Sequence, residues 1–371
     1  MNDPSGDPSG DWVPEVLAAA VQQVGGQDRP GQIEMAAAVA DALATGEHLL
    51  VQAGTGTGKS LGYLAPALVS LARQPDRRIV VATATLALQS QLANADIPAA
   101  LAAVEQVTGN RPVTAVLKGR TNYACLLKVR DQAGADQGAL IAAGDLLADG
   151  VGTATPESAL GTEVLALREW AELQTEADGL ADRDDAPSHT DRGWQQVSIP
   201  VRECLGVQRC PQGGNCFVEK SRERARASDL IVTNHALLAI DAMHGGTALP
   251  EHEAVIIDEA HELVARVTAA ASAELTPQSV ERVARRVLSY LEDELALEFL
   301  EAGDHLRTAL DQMALERVED PESSLVVVCE EIRTVTRRVL SELSGPEEKT
   351  DPERRQAAAA VKEVFDVAER M

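Results

Sequence analysis

The chain has 371 residues, enough for two or three domains, and at 45% hydrophobic content it can bury a sizeable core. A net charge of −25 excludes a surface that is basic overall and built to envelop nucleic acid, although a local basic groove could still sit within it. No apolar stretch approaches the ~18 residues of a membrane span, so no membrane contact is expected.

Residues 1–11 are rich in Gly, Pro, Ser and Asp and lack the basic and apolar regions of a signal peptide, which predicts a disordered tail on a cytoplasmic chain. His48-Leu49-Leu50-Val51-Gln52 then reads as a short apolar strand running into Ala53-Gly54-Thr55-Gly56-Thr57-Gly58-Lys59-Ser60. This is a phosphate-binding loop: small residues let backbone N–H groups curl around a polyphosphate, and Lys59 reaches its β- and γ-phosphates. Ser60 offers a hydroxyl to Mg²⁺, and the loop opens a helix whose N-terminus favours negative charge. Ala53 stands where the strict pattern has Gly, a mild departure because three glycines remain where close approach matters.

Strand patterns follow at 78–83 and 113–117, and the next, at 229–233, comes more than a hundred residues later. The stretch between has no such run, carries a polar loop at 182–188, and contains Cys125, Cys204, Cys210 and Cys216. It reads as a domain inserted into a parallel α/β core. Disulfides are not expected in a cytoplasmic chain with a phosphate-binding loop, so a thiolate metal site is the natural functional reading, with scattered buried thiols as the bland one. Structural zinc usually takes ligands in pairs two to four residues apart. Three cysteines with five residues between neighbours, plus one distant, suit a four-thiolate iron–sulphur cluster at least as well. Spacing leaves both metals open. Cys329, on a helical pattern, reads as core.

Ala254-Val255-Ile256-Ile257 reads as a buried parallel strand and delivers Asp258-Glu259-Ala260-His261 at its C-terminal end. There Asp258 would hold Mg²⁺ and Glu259 would orient and deprotonate an attacking water. With the phosphate loop, this pair predicts ATP binding and hydrolysis. Residues 270–371 read as helices, with Val328, Ile332, Val335 and Val339, then Val361, Val364, Phe365 and Ala368, at helical steps.

These segments resemble the N-terminal part of bacterial DinG-type helicases of the XPD-like iron–sulphur group in superfamily 2. The resemblance runs, in family order, through Arg29-Pro30-Gly31-Gln32, Ala53 to Ser60, Thr83-Ala84-Thr85 with Leu88 to Leu92, and Lys118 to Cys125. It continues through Cys204, Cys210, Cys216, Asp229 to Leu238, and Asp258 to His261. It implies an α/β fold: a RecA-like P-loop NTPase domain with a parallel sheet (12–120 and 225–269), interrupted by an inserted iron–sulphur domain (121–224). A partial helical arch domain (270–371) follows. It implies a [4Fe–4S] cluster on the four cysteines, ATP with Mg²⁺ as nucleotide, and a monomer acting on single-stranded DNA and duplex junctions.

By the same resemblance Gln32 reads adenine with Arg29 nearby, His261 couples the nucleotide site to DNA, and Thr83, Thr85 and Gln89 meet the strand's backbone. Tyr123 and Phe217 could stack bases or shield the cluster, and Lys220, Arg222, Arg224 and Arg226 form a basic run that could meet phosphates. The implied activity is ATP-driven translocation, 5′ to 3′, with unwinding in repair or replication. A second RecA-like domain, expected to supply an arginine to the γ-phosphate, has no counterpart after residue 265, so the chain reads as truncated at Met371. Nor do the residues before Gln32 leave room for the exonuclease domain of some relatives. The competing readings are an iron–sulphur DNA-binding module without motor activity and a zinc-containing P-loop ATPase with a substrate other than nucleic acid.

Overall fold

The computed structural model describes residues 12–27, 29–54, 56–74, 76–131, 159–314, 317–318, 320–345 and 351–371. The expected tail at 1–11 and Thr55 of the phosphate loop lie outside them. The chain divides into two compact units, one of residues up to 119 with 220–271, the other of 120–219 with 272–371.

The first unit opens with helices α1 (Val13–Gln23), α2 (Pro30–Thr45) and α3 (Lys59–Arg73). Strand β1 (Ile79–Thr83) follows, then α4 (Leu86–Gln91), a π-helical turn (Leu92–Asp96), α5 (Ile97–Thr108) and β2 (Thr114–Val116). The π turn has a local cause. Pro98 stands at the start of α5, has no N–H to give back along the helix, and crowds the carbonyl four residues before it, so the coil widens by one residue.

The second unit takes up the chain with α6 (Leu126–Asp131), α7 (Ala159–Glu176) and α8 (Asp191–Val197). Helix α9 (Phe217–Arg226) carries it across the boundary at 219/220 and back to the first unit. There β3 (Leu230–Asn234), α10 (His235–Met243), β4 (Ala254–Ile257) and α11 (Leu263–Ala271) complete the described elements.

All four strands are parallel, in the order β2-β3-β1-β4, with Ile79 level with both Leu230 and Ala254. A parallel strand covered on both faces needs apolar side chains at every position, and β1 is buried at all five. Ile79, Val81, Leu230 and Val232 face a core built with α1, α3 and α5, whereas Val80 and Ile231 face the opposite layer with Leu117, Ala225 and Leu249. Helices thus cover both faces.

Two expectations fail at one edge. Residues 48–52 form no strand, and Leu50 is 96% exposed. Strand β4 pairs with β1 on one side but is only half buried, with Val255 exposed. An apolar run becomes a buried strand only where a neighbour supplies ladder hydrogen bonds and layers cover both faces. Among the described residues nothing does so beyond β4.

In the second unit, α6, α7, α8 and the start of α9 pack around Tyr123, Leu167, Trp194 and Phe217. Its other core joins four helices, α12 (Pro277–Val287), α13 (Asp293–Asp311), α14 (Ser324–Leu343) and α15 (Pro352–Arg370). Ile332, Val335 and Val339 of α14 and Val361, Val364 and Ala368 of α15 are buried there, as their spacing predicts. Cys329 is buried too. Thr276 and Ser279 close a reciprocal capping box at the start of α12.

Candidate nucleotide site and cysteine cavity

In the first unit, Gly56 and Gly58 take positive φ angles of 76° and 79°, which an L side chain resists, and Gly58 caps α3 so that Lys59 is its first residue. Thr57 Oγ1 donates to the Gly54 carbonyl at 2.8 Å. Gln32 is buried beneath the loop, its Nε2 donating to the Gly58 carbonyl at 2.8 Å. A Cβ on Gly58 would stand 2.4 Å from that nitrogen, so the Gln32 side chain and the bare glycine fit together. Arg29 is exposed at the head of α2.

Asp258 follows β4, its N–H bonded to the Ala82 carbonyl at 2.9 Å and its own carbonyl to Nε2 of the buried His235 at 2.8 Å. Glu259 then adopts a left-handed φ of 53°, uncommon for a residue with a Cβ. The turn brings its Oε1 to Lys59 Nζ at 2.5 Å, across 200 residues of sequence. That hydrogen bond holds the Glu259 carboxyl below the usual range. Burial, then the Glu259 charge, push Asp258 up. His261 is 71% exposed, with Nδ1 3.4 Å from Glu259 Oε2.

Lys59, Ser60, Asp258 and Glu259 therefore converge at the C-terminal ends of the parallel strands, where open α/β sheets bind ligands. Two further residues stand with them that sequence reasoning did not select. The Tyr63 hydroxyl lies between Ser60 and Asp258 and close to Asp96, without a well-formed hydrogen bond to any of them, and burial raises its pKa strongly. Asp96 faces the Ser60 hydroxyl, and burial pushes its carboxyl up. Tyr63 follows Ser60 by three positions on α3, a spacing that signals a shared helix face. Asp96 gives no such signal, because the π turn sets its direction.

Of the residues read as strand contacts, Thr85 is exposed at the head of α4, whereas Thr83 and Gln89 are not. Thr83 is fully buried and donates to the Thr85 carbonyl, while Thr85 accepts from the Leu88 N–H as the cap of α4. Gln89 is also fully buried, its Nε2 donating to the carbonyls of Val232 at 3.1 Å and Leu117 at 3.4 Å. Thr83 and Gln89 tie α4 to the sheet rather than facing outward.

In the second unit Cys125, Cys204, Cys210 and Cys216 line one small cavity, and none of them is in a disulfide. Cys125 is fixed by its N–H to the Val197 carbonyl at 2.7 Å, beside antiparallel bridges from Tyr123 to Asp182 and from Ala124 to Ser198. Cys204, Cys210 and Cys216 sit on one loop folded by tight turns: Cys210 N–H to Gly206 at 3.0 Å, Gly213 N–H to Cys210 at 2.9 Å, Cys216 N–H to Gly213 at 3.3 Å. Arg130 grips both oxygens of Glu172 at 2.8 Å and reaches Gln212 of this loop at 2.6 Å. Burial, with Cys204 and Cys210 nearby, pushes the Cys125 thiol up. Tyr123 and Phe217 are buried in the cavity wall, which places them to exclude water rather than to stack bases. Among the described residues no group of three or more His, Cys, Asp or Glu is gathered closely enough for a single metal ion.

A profile of the DEAD/DEAH box helicases matches residues 32–115, the phosphate loop included. Over 276 residues the chain is 49% identical to the ATP-dependent helicase DinG of Mycobacterium tuberculosis, an alignment covering 74% of this chain and 40% of that protein. The chain is a homologue of the DinG/YoaA ATP-dependent helicases. The ATP-dependent DNA helicase YoaA of Escherichia coli is 36% identical over 258 residues, 68% of this chain and 36% of the relative. A Bacillus subtilis relative named 3′-5′ exonuclease DinG is 32% identical over 241 residues, 64% of this chain and 23% of its own length. The chain thus spans less than half the length of the curated DinG and YoaA relatives it matches. No helix among the described residues is long and apolar enough to cross a membrane.

Proposed function

We propose that this chain forms the ATP-gripping part of a DNA helicase that hydrolyses ATP, moves along a single strand from 5′ to 3′ and parts duplexes in repair or replication. The observation that carries this reading is the contact between Lys59 and Glu259, which brings the phosphate loop and the acidic signature together at the end of a parallel sheet. Lys59 would hold the β- and γ-phosphates, with the N–H groups of the glycine loop around them. Ser60 and Asp258 would hold Mg²⁺, which neutralises charge on the phosphates when bound. Glu259 would turn from Lys59 to the attacking water and take its proton. His261, exposed beside Glu259, is suited to report the nucleotide to DNA. Arg29 and Gln32 keep the adenine-reading role as a proposal, Gln32 also bracing the loop.

The cysteine cavity fits a [4Fe–4S] cluster held by Cys125, Cys204, Cys210 and Cys216. The four cysteines, none in a disulfide, line a space with a mainly apolar wall, and among the described residues they are not gathered as ligands of a single ion would be, which favours a larger cluster. The apolar wall would keep water from it. Anaerobically purified protein should be brown with about four irons per chain, and Cys210→Ser should bleach it while Cys329→Ala should not. Stoichiometric zinc without sulphide would overturn the cluster and favour the zinc ATPase. For the nucleotide site, Lys59→Ala should abolish ATP binding in equilibrium titration, and unchanged binding would place the nucleotide elsewhere.

A further inference from the structure

Tyr63 is only 2% exposed, yet its hydroxyl, beside Ser60 and Asp258, makes no well-formed hydrogen bond. A buried hydroxyl left in this way is unfavourable unless something else completes it. Its surroundings say what that would be. The phenol points between the Ser60 hydroxyl and the Asp258 carboxylate, the two groups read above as metal ligands. Asp96 also lies near, facing Ser60, and its Oδ2 is buried without a well-formed hydrogen bond. Two orphaned polar atoms thus flank the metal end of the nucleotide site.

A magnesium ion bound to nucleotide keeps several of its waters, and each water needs an acceptor outside the coordination shell. Glu259, released by Lys59 when phosphate binds, is committed to the attacking water in the reading above. Asp96 supplies an acceptor, and the Tyr63 hydroxyl can both accept and donate. The chain also sets Asp96 in place by an unusual means, since it ends the π-helical turn that precedes Pro98. Widened turns of this kind occur often where a helix must aim a functional side chain.

We propose that Asp96 and Tyr63 are positioning residues for the nucleotide-bound divalent ion, receiving waters of its hydration shell beside Ser60 and Asp258. This rests on the nucleotide-site reading above. Partners of this outer shell typically change metal affinity 10–100-fold when removed.

The test uses the whole chain, a fluorescent ATP analogue and Mn²⁺ followed by electron paramagnetic resonance. In Asp96→Asn the affinity for the analogue in chelator should stay within about twofold of the parent, whereas the Mn²⁺ needed for half-saturation in its presence should rise about tenfold. Asp96→Glu should recover part of the loss. Tyr63→Phe, a milder change, should raise the Mn²⁺ requirement by roughly threefold and alter the proton hyperfine signal of bound water. Unchanged Mn²⁺ half-saturation in both Asp96→Asn and Tyr63→Phe would overturn the proposal, as would equal loss of metal-free nucleotide binding, which marks a merely structural role. Should Asp96→Asn fail to fold, the Tyr63→Phe measurement decides alone. Lys59→Ala separates the two levels: if it leaves metal-free binding intact, the nucleotide site itself is misread, whatever Asp96 does.

Discussion

Lys59 and Glu259 hold one another through a short charged hydrogen bond, each side chain about a quarter exposed. A phosphate must compete with that carboxylate for the ammonium. Glu259→Gln leaves a neutral acceptor, weakening the pair by about 1 kcal/mol and so raising ATP affinity about fivefold. The same change removes the group that would deprotonate water, so binding should tighten while hydrolysis by the extended protein disappears. Calorimetric titration and phosphate release check the two halves separately. In the cysteine loop, Gly213 meets a stricter limit: a Cβ there would lie 2.1 Å from the Val207 carbonyl, whereas one on Gly214 meets nothing within 4 Å. Gly213→Ala should therefore prevent the loop from bringing Cys210 and Cys216 to the cavity, with loss of most bound iron by colorimetric assay. Gly214→Ala should keep it. At this scale Lys59, Ser60, Asp258 and Glu259 were legible because their chemistry requires fixed neighbours along the chain. Asp96 was not, since its direction depends on a helix distortion, and His235 was not, since it supports the backbone carbonyl of Asp258 from the first residue of α10.

Elements were legible where burial demanded uniform apolar residues. Strands β1, β3 and β4 fall where their aliphatic runs are, and α14 and α15 bury most of the residues their helical spacing selects, Val328 and Phe365 being only half-buried. The run at 48–52 has the same composition but no ladder, because a strand is a property of its neighbours as much as of its own side chains. Burial also revises the reading of α4. Gln89 reaches two carbonyls on separate segments, one just past β2 and one in β3, so it acts as a clamp between a short helix and the sheet. Gln89→Leu keeps much of the volume but leaves the Leu117 carbonyl poorly satisfied. The expected loss is about 1–2 kcal/mol. It would appear in urea unfolding as a lower midpoint with an unchanged slope. A variant as stable as the parent would show that the clamp contributes nothing and return Gln89 to the list of candidate DNA contacts.

For the whole molecule, the decisive fact is that the chain spans 40% of the M. tuberculosis DinG it matches. On the proposed reading one wall of a nucleotide cleft is present, with Lys59 for the phosphates, Ser60 and Asp258 for the metal and Glu259 for the water. Phosphoryl transfer of this class gains on the order of 10³-fold or more from an arginine that closes on the γ-phosphate. Nothing described here supplies such an arginine at Lys59 and Glu259. The chain by itself should thus bind ATP measurably and turn it over very slowly. Joined to the remaining sequence of its relatives, it should show ATPase stimulated by single-stranded DNA and should unwind duplexes. Binding to the strand should weaken steeply between low and moderate salt, because phosphate contacts dominate such complexes even on a protein whose net charge is −25. The basic residues Arg222, Arg224 and Arg226 of α9 are the natural place to look for those contacts. Steady-state ATPase with and without single strands, on cluster-loaded protein, decides the matter. Stimulation that vanishes in Glu259→Gln would tie the motor to this site, and an ATPase indifferent to DNA would favour a substrate other than nucleic acid.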